Sequence, residues 1–82
     1  MANLKMNKTK LYGFIVSRGI ELPPKSEMYF SKVSRSSSYF LRGIESKVCF
    51  SIAGGRAFFI INDGPTNPVS YEELEEYGLL QN

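Results

Sequence analysis

Apolar and polar residues alternate with period two on either side of Gly54-Gly55, and this is the sharpest pattern in the chain. A two-residue glycine turn supplies the positive φ angles that a tight antiparallel connection needs, so a hairpin is predicted there. If Ala53 faces Arg56, the register pairs Ile52 with Ala57, Phe50 with Phe59 and Val48 with Ile61 on one face. The other face receives Ser51 with Phe58, Cys49 with Ile60 and Lys47 with Asn62. The first face reads as core. The second leaves Phe58 and Ile60 in water unless a helix, another sheet or a partner covers them, which makes the strand carrying them an interior one.

Upstream, residues 27–34 and 38–44 are rich in aromatic and β-branched residues and are separated by Arg35-Ser36-Ser37, a turn or short loop. A second hairpin follows, and with it a small four-stranded antiparallel meander. After the last strand, Pro65 and Pro68 mark residues 63–69 as an irregular linker. The segment Ser70-Tyr71-Glu72-Glu73 then has the form of a capping box, in which Ser70 accepts from a backbone N–H and Glu73 reaches back. Acidic residues early in the helix suit its dipole, and Gly78-Leu79 has the form of a Schellman stop. A helix of about two turns is marginal alone, so it must dock Tyr71, Leu74 and the Leu79-Leu80 end on the sheet.

Residues 9–18 fit two periods. Tyr12, Phe14 and Val16 alternate as in a strand, whereas Leu11, Phe14, Ile15 and Arg18 fall at helical spacing. The ends favour a helix over a fifth strand, with Thr9 as N-cap and Arg18-Gly19-Ile20 before Pro23-Pro24 as a glycine stop, despite Gly13 in the middle. The fold class is therefore α+β: a meander sheet with an N-terminal helix and a short acidic C-terminal helix packed on it. Residues 1–82 form one small domain, with residues 1–8 a flexible lead-in. The tetrapeptide Arg18-Gly19-Ile20-Glu21 recurs as Arg42-Gly43-Ile44-Glu45, but its flanks do not align, and coincidence in similar turn contexts explains it better than duplication.

Charge adds a second pattern. Residues 1–62 carry all ten Lys and Arg against Glu21, Glu27 and Glu45, a balance of +7, while residues 63–82 carry Asp63, Glu72, Glu73, Glu75 and Glu76 without a base, a balance of −5. Such asymmetry speaks to partners. The lone Cys49 excludes an internal disulfide framework, and the short apolar run at residues 14–16 is neither a signal-peptide core nor a membrane span. A cytoplasmic location, without membrane contact, is the expectation.

The chain has no His, which removes the commonest general base and metal ligand, and one Cys cannot build a thiolate metal site. The acidic run lacks EF-hand spacing, and Ala53-Gly54-Gly55-Arg56 lacks the Gly-Lys-Ser ending of a phosphate loop. An Arg, Lys, Glu and Tyr set can cleave RNA without His, but the spacing of these residues has no recognisable signature. Neither catalysis, a cofactor nor a metal is expected.

What remains is a surface. Lys32, Arg35, Arg42, Lys47 and Arg56 are interleaved with Tyr39 and Phe58, and these seven are the candidate partner- or RNA-binding residues. Phe50, Phe59 and Phe40 are assigned to the core. Glu72, Glu73, Glu75 and Glu76 form an acidic helix that faces a partner, imitating phosphate toward a basic groove. The leading expectation is a non-catalytic protein-binding module, an inhibitor or regulator of antitoxin or viral anti-host type that docks on a larger enzyme such as a nuclease. The alternative is a single-stranded RNA-binding domain using the basic, aromatic sheet. A homo-oligomer through an exposed strand edge is a third possibility.

Overall fold

The computed structural model describes residues 3–4, 6–33, 38–53 and 55–81. Its centre is a five-stranded antiparallel sheet of order β2-β3-β4-β5-β6, formed by β2 (Tyr29–Lys32), β3 (Ser38–Gly43), β4 (Ser46–Ala53), β5 (Arg56–Ile61) and β6 (Thr66–Val69). The predicted register of the central hairpin holds throughout, from Ala53 opposite Arg56 to Val48 opposite Ile61. Lys47 and Asn62 extend it, exchanging a backbone bond of 2.8 Å and a side-chain bond of 2.7 Å. Gly55 takes the expected positive φ; Gly54 lies outside the described residues, as does the Arg35-Ser36-Ser37 turn.

The sheet has one strand more than the meander predicted. Thr66–Val69, within the expected linker, pairs with β5 through Ala57 opposite Val69 and Phe59 opposite Asn67. Two prolines argue against an interior strand, but an edge position tolerates a residue that cannot donate to a ladder. The lead-in is likewise structured in part: β1 (Asn3–Leu4) pairs with β7 (Leu80–Gln81), so the two ends of the chain meet in a short antiparallel ribbon.

Residues 9–17 are helical, within α1 (Lys8–Ser17), and Arg18 is its C-cap. The cap is Asn7 rather than Thr9: its side chain accepts from the Lys10 N–H at 2.8 Å, so the helix starts two residues earlier on a stronger capping residue. Gly19, at φ 83°, stops it as predicted. The second helix, α2 (Tyr71–Glu76), has both halves of the capping box and ends in a complete Schellman motif. There Leu79 N–H donates to Leu74 O at 2.8 Å and Gly78 N–H to Glu75 O at 3.1 Å. The two Arg-Gly-Ile-Glu segments differ in structure, one closing a helix and the other turning β3 into β4 with Glu45 at φ 58°.

Both helices cover the same side of the sheet. Leu11, Phe14 and Ile15 of α1 and Leu74 of α2 join Tyr39, Leu41, Val48, Phe50, Ala57, Phe59 and Val69 in one core. Phe14 is its centre, with edge-on ring contacts to Phe50 at 6.3 Å, Phe59 at 6.0 Å and Tyr77 at 5.2 Å. Met28 closes one end over Gly43, where a Cβ would lie 3.2 Å from the Met28 Cγ.

Candidate functional site: the open face of the sheet

Strand side chains alternate between faces, so every residue one step out of phase with the core points away from the helices. That opposite face carries Tyr29 and Ser31 of β2, Ser38, Phe40 and Arg42 of β3, Lys47, Cys49 and Ser51 of β4, Arg56, Phe58 and Ile60 of β5, and Thr66 and Pro68 of β6. No element among the described residues packs over it. Phe40, Cys49, Ile60 and Phe58 form a half-buried apolar band across the three inner strands. Hydroxyls border the band, and Ser38 and Ser51 share a hydrogen bond of 3.0 Å.

The charged side chains that strands place on this face are all cations. Arg42 lies with its guanidinium carbon 4.9 Å from the centroid of the Phe40 ring, a cation–π contact that sets a positive group beside an aromatic surface. Lys47 is next to Arg42 across the β3–β4 ladder and also meets Asp63 at 3.0 Å. Arg56 stands at the opposite end, beyond Phe58. An open depression of about 570 Å³ adjoins Arg42 and Lys47, between the turns that carry Glu45 and Asp63.

Of the seven candidate residues, Arg42, Lys47, Arg56 and Phe58 come together on this face. Lys32 and Tyr39 do not. They pair across β2 and β3 on the helix side, where Tyr39 is buried, stacks on Phe30 at 6.1 Å and lies 5.8 Å from the Lys32 Nζ. Arg35 lies outside the described residues. Phe40, assigned to the core, belongs to the open face, and Tyr29, which is 78% exposed, joins it at the edge. Parity was the available signal: Phe40 is two residues from Arg42 and therefore shares its side.

The acidic residues divide. Glu72, Glu75 and Glu76 are exposed on α2, whereas Glu73 faces inward along the helix layer and pairs with Arg18. The backbone N–H of Ser70, followed by the Arg18 guanidinium, holds the Glu73 carboxyl below its ordinary range. The two ion pairs among the described residues are Arg18 with Glu73 and Lys47 with Asp63. The exposed acids of α2 thus belong to the helix layer, whereas Arg42, Lys47 and Arg56 lie on the opposite face of the sheet.

Among the described residues no cluster of three potential metal ligands occurs, and no helix is long and apolar enough to cross a membrane. No family model matches the chain, and neither a curated protein nor a solved structure matches it.

Proposed function

We propose that this chain is a small non-catalytic binding module whose docking surface is the open face of its sheet. The observation that carries the reading is the placement of both helices on one side, leaving the apolar band of Phe40, Cys49, Phe58 and Ile60 uncovered between Arg42 and Arg56. An apolar centre with a polar, Arg-bearing rim is how recognition surfaces are built. The cations favour a partner that brings negative charge.

In its regulatory form, the module occludes the surface of a larger protein, matching an apolar knob and an acidic rim to this face. The exposed acids of α2 cannot join that contact on a flat partner, because they point the other way. A specific observation favours the second form, single-stranded RNA: Arg42 over Phe40 pairs a phosphate-binding group with a stacking ring.

The test is capture of partners from native extract with and without RNase, comparing the unaltered chain with Phe58→Glu and Arg42→Glu on the open face and Glu75→Lys on α2. The open-face changes are expected to abolish capture while the helix change leaves it intact. Capture indifferent to Phe58→Glu and Arg42→Glu would refute the assignment of the face.

A further inference from the structure

We infer that the occupant of the open face is a single-stranded nucleic acid, laid diagonally over Tyr29, Phe40 and Phe58 with its phosphates on Arg42 and Arg56. The inference rests on the reading of this face as the docking surface and names its ligand.

The register fixes the path. Tyr29 pairs with Arg42, and Phe40 is two residues along β3 from Arg42, so Tyr29 and Phe40 stand one strand and two residues apart, about 8 Å. Phe40 lies in the row of Cys49 and Ile60, and Phe58 is two strands and two residues further on, about 12 Å away. The three rings thus follow one diagonal. Arg42 and Lys47 flank its start and Arg56 its end, so each end of the path has a cation beside an aromatic ring. Ser31, Ser38, Ser51 and Thr66 border the path with hydroxyls able to donate to or accept from base edges.

Charge decides among occupants. A second copy would bring Arg42, Lys47 and Arg56 against the same three cations, and repulsion opposes that pairing. A protein partner would need an acidic rim matched to both ends of a diagonal. A nucleic-acid strand carries negative charge at every step and a flat ring at every step, which is the repeat this face displays. A duplex hides its rings in the stack and has no use for Phe40 or Phe58.

The experiment is fluorescence anisotropy with labelled twelve-nucleotide oligouridine, oligothymidine and an RNA duplex of equal length. Both single strands are expected to bind and the duplex to bind at least tenfold more weakly; a preference between the two single strands separates RNA from DNA as the source. From 50 to 200 mM salt, affinity is expected to fall roughly fifteen- to twentyfold, as release of counterions from about three phosphates requires. Phe40→Leu and Phe58→Leu should each weaken binding by about five- to a hundredfold, and Arg42→Ala and Arg56→Ala should each flatten the salt slope, whereas Lys25→Ala on the helix side changes neither.

A second readout needs no variant: Cys49 lies between Phe40 and Ile60, so bound oligouridine should slow its alkylation by a thiol reagent. Equal affinity for duplex and single strand, or Cys49 alkylation unchanged under saturating oligonucleotide, overturns the inference. If no oligonucleotide binds while a protein is captured in a manner abolished by Phe58→Glu, the nucleic-acid assignment fails and the docking face stands. If open-face changes alter no capture of any kind, both fail.

Discussion

The guanidinium of Arg18 donates to Oε2 of Glu73, tying the end of α1 to the first turn of α2 across 55 residues of sequence. The same guanidinium lies 5.6 Å from the Phe59 ring centroid and 5.8 Å from that of Phe14, so one side chain joins both helices and the sheet. Arg18→Ala is expected to cost about 1–2 kcal/mol, from a partly exposed ion pair and two ring contacts together. Arg18→Lys should recover only part of that, since an ammonium cannot lie flat on a ring. Glu73 has its folded-state carboxyl held below the ordinary value, so its contribution is fully present above the unfolded value near 4.5 and is lost as pH falls through the folded one. Glu73→Gln should therefore destabilise the chain at neutral pH and converge with the unaltered protein as pH falls through the folded-state value, in urea titrations at successive pH values.

The second helix has six residues, too few to persist without its ends. At its start the Glu73 N–H donates to the Ser70 Oγ at 3.2 Å; at its finish Gly78 sits at φ 74°. Ser70→Ala is expected to cost about 1 kcal/mol, and Gly78→Ala a similar amount, because an L side chain resists that backbone conformation. Lys10 also reaches across to donate from its Nζ to Gly78 O at 2.8 Å. Loss of either cap should loosen the Phe14–Tyr77 contact, and amide exchange confined to residues 71–79 in both variants would show it. Global unfolding of equal size throughout the sheet would contradict it.

The parts legible in the sequence were those set by local rules. Glycine turns fixed a hairpin register that holds pair by pair, and the box at Ser70 and the stop at Gly78 depend on residues within three or four positions of one another. What escaped was set by tertiary context. Pro65 and Pro68 speak against a strand until an edge position removes the need for a donor, and Asn3–Leu4 had no partner until the chain turned back after Gly78. For the site, Phe58, Arg42, Lys47 and Arg56, grouped in the sequence by the interleaving of basic and aromatic residues, share one face of the sheet. Lys32 and Tyr39 lie on the helix side and Phe40 on the open face, because interleaving along a strand mixes both faces and only the parity relative to Arg42 separates them.

Among the described residues, Phe14 is the one ring that meets both Phe50 and Phe59 of the sheet and Tyr77, the C-cap of α2. It is also almost wholly buried. Phe14→Ala is expected to cost about 3–5 kcal/mol, a large share of the stability of a chain this small, and Phe14→Leu about 1–2 kcal/mol less than that. Thermal unfolding followed by tyrosine fluorescence would measure both. A Phe14→Ala protein within 1 kcal/mol of the original would mean that α1 is not the lid of this core.

Phe58 and Phe59 are neighbours on β5 with opposite fates, and substituting each by serine isolates what the two faces are for. Phe59 is 1% exposed beneath Phe14 and opposite Phe50, so Phe59→Ser removes a core ring, leaves a cavity and buries a hydroxyl; about 4 kcal/mol or more is expected, enough to leave much of the chain unfolded. Phe58 is half-buried beside Ser51 and Pro68, with no helix above it, so Phe58→Ser should cost about 1 kcal/mol or less in stability. Its effect belongs to binding: the same change should remove partner capture while urea unfolding hardly shifts. If Phe58→Ser instead unfolds the chain as Phe59→Ser does, the far side of the sheet is a second core, covered in the native assembly at all times, and the surface serves permanent association rather than exchange.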